Sequence, residues 1–149
     1  MILISHRGNI NGVFPDLENK PSYIYDALNS GYQVEIDLWY DNGWWTGHDA
    51  PTFDITWHVN FLHSCWCHAK NAEALEKLSK ISYAHYFWHQ EDNYTLTSRG
   101  HIWTHVGQAP MKGAICVLPE KSIYPIEESK LKQCAGICSD VIQRYKKNE

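Results

Sequence analysis

The sequence has no long hydrophobic run. No segment approaches the roughly 20 apolar residues that a transmembrane helix needs. The apolar stretch at the start reaches only Ile4 before Ser5, which is too short for the central region of a secretory signal peptide. Both absences predict a soluble, cytoplasmic protein without a membrane span.

Positive charge and paired cysteines are also scarce. Lysine and arginine number 13 against 17 acidic residues, the net charge is −4, and no basic block occurs. Nucleic acid is therefore not an expected partner. The five cysteines are odd in number and include no C-x-x-C pair, so neither a disulfide framework nor a four-thiolate zinc site is expected. We interpret most of them as small buried apolar side chains.

What the chain does contain suits one α/β domain over residues 1–149. Apolar residues make up 44% of the sequence, which is enough to form a core. Helix-boundary residues and helical spacing predict helices at 21–29, 70–80 and 127–133. Short apolar runs predict eight strands, at 2–5, 34–38, 44–47, 61–68, 83–88, 101–105, 114–118 and 136–139.

Eight short strands with helices between some of them are typical of a (β/α)8 barrel. A typical barrel needs about 250 residues, more than this chain of 149 has. We therefore expect a reduced TIM-type barrel in which several outer helices are shortened or missing. A seven-stranded or open sheet is the alternative.

Two acidic residues share one face of the second predicted strand. Glu35 and Asp37 are two positions apart, so their side chains point the same way. Adjacent carboxylates repel each other unless a cation lies between them, and such hard oxygen ligands suit Mg²⁺ or Ca²⁺. A solvated strand face has the same pattern, so the pair alone leaves both interpretations open.

Histidines and cations lie at the ends of several predicted strands. His6 and His48 each end a strand, and histidine can take or give a proton near neutral pH. Arg7 and Lys70 follow strands and could bind a phosphate, whereas Trp88 could stack on a substrate. Because strand ends meet at one rim of a barrel, we expect several of these side chains to converge there. The alternatives are structural histidines, exposed cations on a rim and a core tryptophan.

The order and spacing of these motifs resemble those of the glycerophosphodiester phosphodiesterases, a family of the phospholipase-C-like phosphodiesterase superfamily. The matching segments are Ser5-His6-Arg7-Gly8, Pro15 with Glu18-Asn19, Glu35-Ile36-Asp37, Asp41-Asn42-Gly43 and Gly47-His48-Asp49. Lys70 resembles the family's lysine after the fourth strand, and residues 136–140 are similar to its closing G-x-x-T-D strand.

The resemblance implies a TIM-barrel fold and a phosphodiesterase activity. It implies that His6 and His48 are the general acid and base and that Arg7 binds phosphate. Glu35 and Asp37 are implied to be ligands of a divalent metal ion. In the family reaction a hydroxyl group, often one on the substrate itself, attacks the phosphodiester and releases an alcohol.

The sequence departs from the family pattern at the third metal ligand. His68 stands two residues before Lys70, where the family usually has a carboxylate. Carboxylates favour Mg²⁺ or Ca²⁺, but an imidazole ligand favours Mn²⁺ or Zn²⁺. In addition, Asp16-Leu17 is inserted between Pro15 and Glu18, and Lys20 replaces the usual threonine.

The sequence thus predicts a metal-dependent phosphodiesterase acting on a small glycerophosphodiester or a similar phosphodiester. A non-catalytic module that binds a phosphorylated small molecule on the same fold is the alternative. A glycan hydrolase ranks last, because it needs carboxylates about 5–10 Å apart across a sugar and the Glu35–Asp37 spacing is too close for that. A second subunit could cover strand edges exposed by missing helices, so the sequence leaves an oligomer open.

Overall fold

Short strands and few helices make up residues 1–146, the part of the chain that the computed structural model describes. The strands are β1 (Ile2–His6), β2 (Gln33–Tyr40), β3 (Trp44–Thr46), β4 (Phe53–Asp54), β5 (Cys65–Ala69), β6 (His85–Phe87), β7 (Tyr94–Leu96), β8 (Ile102–Thr104), β9 (Ile115–Val117) and β10 (Gly136–Ser139). The α-helices are α1 (Pro21–Asn29), α2 (Ala72–Leu78) and α3 (Glu128–Leu131). Turns of 3₁₀-helix occupy Val59–Ser64, Pro119–Lys121 and Ile142–Tyr145.

Local sequence explains where the two longer helices begin. Pro21 is the first residue of α1, where its missing N–H costs no hydrogen bond. Asn71 caps α2 by accepting a hydrogen bond from the N–H of Ala74 at 3.1 Å. The same Asn71 side chain also bonds both backbone groups of Tyr40, so the cap fixes α2 against the end of β2.

All ten strands belong to one sheet. Its parallel part runs in the order β6-β5-β2-β1-β10-β9-β8. β3 pairs antiparallel with the second half of β2, β4 pairs antiparallel with β3, and β7 pairs antiparallel with β8. In a parallel run the carboxyl ends of all strands lie at one edge of the sheet.

The sheet is curled. The rings of Trp66 on β5 and Trp103 on β8 lie 5.6 Å apart, although four other strands separate β5 from β8 along the sheet. One buried cluster fills the inside of the curl and includes Ile4, Trp66 and Trp103. A second cluster lies outside and joins Val34, Ile36 and Leu38 to α1 and α2. The acidic residues of β2 therefore face the inside of the curl.

The expected mixed α/β fold with few helices is confirmed. The predicted bounds of α1 and β10 are the observed ones. All five cysteines are buried and free, as expected. No helix within residues 1–146 is long and apolar enough to cross a bilayer.

Two strand predictions need correction. The segment 44–47 was expected to be a barrel strand, but it is the returning arm of a hairpin and pairs antiparallel with β2. The turn at Asp41-Asn42-Gly43, with positive φ at Asn42 and Gly43, sends the chain straight back. The predicted strand at 61–68 is a 3₁₀ turn up to Ser64, and only Cys65–Ala69 is extended.

Candidate metal and acid–base site

The strand ends converge on one cavity of about 430 Å³. Its walls come from the ends of β1, β5, β8 and β9, from Glu35 on β2, and from the loops that follow β1, β3, β5, β6, β8 and β9. The side chains with ionisable groups that line it are His6, Arg7, Glu35, His48, His68, Lys70, His89, His105 and Lys121. The rest of the lining includes Trp103, Val106, Val117 and Leu118.

Glu35, Asp37 and His68 form the cluster best suited to a metal ion. Each offers a ligand atom, and these atoms all lie within 4.8 Å of one another. Register explains the grouping, because Asp37 on β2 lies directly opposite His68 on β5. Glu35 is 3% exposed and Asp37 is fully buried, so the solvated strand face considered from the sequence is ruled out.

The donor groups fit a divalent cation. Nε2 of His68 lies 2.7 Å from the carbonyl oxygen of His89, and since a carbonyl only accepts, Nε2 carries the proton. In the neutral ring Nδ1 then presents a lone pair, 3.3 Å from Asp37 Oδ1 and 3.8 Å from Glu35 Oε1. Within residues 1–146, Glu35 Oε2 and Asp37 Oδ1 are buried and accept no hydrogen bond. Buried carboxylate oxygens that accept no hydrogen bond are costly, and a cation bound between them would offset that cost.

The two carboxylates differ in pKa. Burial and the neighbouring charge of Asp37 raise the pKa of Glu35 above its ordinary value, against the attraction of His6 and Arg7. Burial would also raise the pKa of Asp37, but its contact with His68 and the charges of Arg7 and Lys70 outweigh burial and hold that pKa well below the ordinary value. Asp37 therefore stays ionised. A cation bound beside Glu35 would stabilise the ionised form of that residue as well.

Asp37 is held by groups from three segments. Arg7 Nε lies 2.9 Å from Oδ2, and Lys70 Nζ lies 3.5 Å from Oδ1. Asn19 donates from Nδ2 to Oδ2 at 3.0 Å and accepts the N–H of Asp37 at 3.0 Å. Arg7 also pairs with Glu18 at 3.2 Å. Both predicted cations thus reach the site, where they are paired with carboxylates.

The backbone that delivers Arg7 is constrained. Arg7 and Asn19 both have positive φ, at 55° and 63°, and the N–H of Asn19 donates to the carbonyl of Arg7 at 3.0 Å. Gly8 follows with φ of 93°, and a Cβ there would lie 2.6 Å from the Tyr23 ring. Only glycine fits at this position, which explains the glycine in the His-Arg-Gly motif.

His6 is hydrogen-bonded to a buried carboxylate. Its Nδ1 donates to Asp140 Oδ1 at 2.6 Å, and the side chains are 10% and 2% exposed. Nε2 is left as the free nitrogen and lies 3.8 Å from Glu35 Oε2. Burial would raise the pKa of Asp140, but the hydrogen bond and charge of His6 and the contact with Lys121 outweigh it and hold that pKa well below the ordinary value.

His48 has a similar partner in a different environment. Its Nδ1 donates to Asp49 Oδ1 at 2.7 Å, but the side chains are 45% and 94% exposed. The β2–β3 hairpin brings His48 to the rim, and the N–H of Gly47 donates to the carbonyl of Asp37 at 3.1 Å. His48 also lines a second cavity of about 490 Å³, which shares Arg7 with the first.

The structure thus brings most of the predicted site residues together. Trp88 is the exception, since it is 36% exposed and lies outside the lining of the first cavity. A stacking role for Trp88 stays a prediction.

Asp140 and Asn19 are functional candidates to which the sequence reasoning assigned no role. Both belong to segments that carried the family resemblance. Their partners were not predictable, because His6 and Asp140 are 134 positions apart and meet only through the parallel pairing of β1 with β10.

Comparisons with family models, curated proteins and solved structures find no match for this chain.

Proposed function

We propose that this protein is a metal-dependent phosphodiesterase that hydrolyses a glycerophosphodiester or a similar small phosphodiester. One observation carries the proposal. Glu35 and His68 of the metal cluster line the same cavity as His6, Arg7 and Lys70, Asp37 lies buried behind them, and His6 Nε2 is 3.8 Å from Glu35. Phosphodiester hydrolysis needs metal ligands, a general acid or base and cationic side chains that bind the phosphate.

Glu35, Asp37 and His68 would hold a divalent ion, whose positive charge would stabilise the negative charge that develops on the phosphate. The carboxylates suit Mg²⁺ or Ca²⁺, and the imidazole extends the candidates to Mn²⁺ and Zn²⁺. Arg7 and Lys70 add charge beside Asp37 and orient the phosphate oxygens.

His6 and His48 divide the proton transfers. Asp140 accepts a hydrogen bond from the Nδ1–H of His6, so Nε2 is the atom that takes a proton from the attacking group, a hydroxyl of the substrate or a water molecule. His48 is exposed at the rim between the two cavities and gives a proton to the departing alcohol.

The fold proposed for this activity is a reduced (β/α)8 TIM-type barrel. The parallel run from β6 to β8 and the Trp66–Trp103 contact across the curl support it. The gap between β6 and the β7–β8 hairpin is bridged by a hydrogen bond from the N–H of Ser98 to the carbonyl of Tyr86 at 2.8 Å. The scarcity of outer helices fits the reduced length.

The test is hydrolysis of bis(p-nitrophenyl) phosphate and glycerophosphocholine with Mg²⁺, Ca²⁺, Mn²⁺ and Zn²⁺ in parallel. Wild type, His6→Ala and His58→Ala are compared, since His58 is exposed and outside both cavities. We expect metal-dependent turnover that is lost in His6→Ala and kept in His58→Ala. Unchanged turnover in excess chelator, or full activity of His6→Ala, contradicts the proposal.

A non-catalytic binding module is the second candidate. Its support is that His68 stands in the metal cluster where the resembled family has a carboxylate, while Arg7 and Lys70 still line the cavity. Absence of turnover with every metal, together with binding of a phosphorylated glycerol in a calorimetric titration, favours this alternative over the enzyme.

A further inference from the structure

The turn after β9 brings a lysine into the cavity beside Asp140. Leu118 has a left-handed backbone, with φ of 49° and ψ of 53°, which is uncommon for a bulky side chain. Its N–H donates to the carbonyl of Cys138 at 2.7 Å, so the start of the turn is fixed against β10. The turn Pro119–Lys121 then places Glu120 and Lys121 next to the end of that strand.

Glu120 and Lys121 hold two different parts of Asp140. Glu120 Oε1 accepts the backbone N–H of Asp140 at 2.8 Å. Lys121 Nζ lies 2.8 Å from Asp140 Oδ2, a contact that is an ion pair rather than a well-aligned hydrogen bond. Within residues 1–146, Oδ2 has no hydrogen-bond donor, so the ammonium of Lys121 is what compensates its burial.

We propose that Lys121 is a positioning residue that acts on His6 through Asp140. The proposal rests on the proposed phosphodiesterase function. Asp140 Oδ1 accepts from His6 Nδ1 at 2.6 Å and from Asn9 Nδ2 at 2.9 Å. Lys121 fixes the other oxygen and so prevents rotation of the carboxylate. With both oxygens held, the imidazole keeps Nδ1 on Asp140 and Nε2 toward the cavity.

Lys121 also lines the cavity and its side chain is 47% exposed, so direct contact with the phosphate is the competing role. The two roles differ in whether the effect of substituting Lys121 depends on the Asp140 carboxylate. A positioning residue loses its effect once Asp140 no longer offers a carboxylate, whereas a phosphate contact keeps its effect.

The first experiment is a double-mutant cycle with Lys121→Met and Asp140→Asn on bis(p-nitrophenyl) phosphate and the preferred metal. We expect Lys121→Met alone to lower kcat about 10- to 100-fold, as typical for loss of a supporting residue, with KM changed less than about twofold. Lys121→Arg should recover kcat to within about threefold, because a guanidinium also pairs with a carboxylate. In the Asp140→Asn background Lys121→Met should change kcat by less than about twofold.

The exposed Lys112 supplies the matched control, and Lys112→Met should behave as wild type. A rise in KM with unchanged kcat in Lys121→Met overturns the proposal, as does an equal loss in the Asp140→Asn background. Either result assigns Lys121 to the substrate.

A second experiment needs no activity and therefore separates this proposal from the proposed function. The His6 Nδ1 proton, in a 2.6 Å hydrogen bond to a carboxylate, should give a far-downfield proton NMR signal that is absent in His6→Ala. We expect the signal to shift or disappear in Lys121→Met and to persist in Lys112→Met. A signal unchanged in Lys121→Met overturns the positioning role even if the protein proves inactive on every phosphodiester.

Discussion

Two histidine–aspartate pairs lie at the same rim and differ mainly in burial. In both, Nδ1 of the histidine donates to an aspartate, at 2.6 Å for His6–Asp140 and 2.7 Å for His48–Asp49. The Asp140 side chain is 2% exposed, but the Asp49 side chain is 94% exposed. A buried hydrogen bond to a charged group fixes the geometry of the imidazole, whereas water competes for the exposed one. Two histidine–aspartate hydrogen bonds of similar length therefore need not contribute equally to the position of the imidazole.

The largest expected effect comes from breaking the buried pair. Asp140→Asn should lower kcat/KM by about 10²- to 10⁴-fold, because His6 loses the acceptor that fixes its tautomer and the Nε2 atom turns from base to donor. The measurement is steady-state hydrolysis with the preferred metal, accompanied by circular dichroism to show that the fold is kept. Activity within threefold of wild type, about 0.7 kcal/mol, would remove Asp140 from the mechanism.

The sequence predicted the two histidines of this comparison but not the buried carboxylate. Short apolar runs closed by polar residues gave β1 and β10, and the alternation of Val34, Glu35, Ile36 and Asp37 gave the face of β2. Neither pattern contains strand register, which is set by tertiary packing. The pairing of His6 with Asp140 follows only once β1 and β10 are adjacent.

Other parts of the fold could not be predicted for local reasons. β4 has only two residues, and the three residues of β7 are largely exposed, so neither strand shows an apolar run. The strand predicted from residue 61 onward is a 3₁₀ turn up to Ser64, because Phe61 and Leu62 pack into the outer core in that conformation. Composition also does not show whether a strand runs parallel or antiparallel to its neighbour. For this reason β3 was predicted as a strand of the barrel.

His85, which is buried and has no carboxylate partner among residues 1–146, sharpens the comparison through pH. His85 is 3% exposed, packs on Trp66 at 4.0 Å between ring centroids, and bonds Thr97 Oγ1 at 2.7 Å. Burial, together with the charges of Arg99 and His101, lowers the pKa of His85 to about 4.

The unfolded chain takes up a proton at this histidine below about pH 6.5, but the native state resists it until about pH 4. The free energy of unfolding should therefore fall by about 3 kcal/mol on acidification through that window. Urea unfolding at pH 7 and pH 4 is the measurement. His85→Gln should lose this part of the pH dependence, whereas the exposed His58→Gln should keep it. Identical pH profiles for all three proteins would contradict the assignment.

The metal cluster beside His6 offers the next contrast. Glu35→Gln removes one charged ligand and should weaken Mn²⁺ binding by about 10- to 100-fold, measured by calorimetric titration. The matched variant Glu73→Gln changes an exposed acid on α2 and should bind as wild type does. Equal affinity in Glu35→Gln and wild type would exclude Glu35 as a ligand.

The smallest effect is expected from removing the carboxylate charge of the exposed pair. Asp49→Asn should lower kcat/KM by less than about threefold, because an exposed ion pair is screened by water and contributes little. His48→Ala should nevertheless lower the rate about 10²- to 10⁴-fold, since the proton that His48 gives to the leaving alcohol does not depend on Asp49. The two variants are compared on bis(p-nitrophenyl) phosphate and on glycerophosphocholine. The first has a good leaving group that needs less protonation, so the His48→Ala loss should be smaller there. A large loss in Asp49→Asn would mean that the second pair orders its imidazole as firmly as the first, and burial would then not be what separates them.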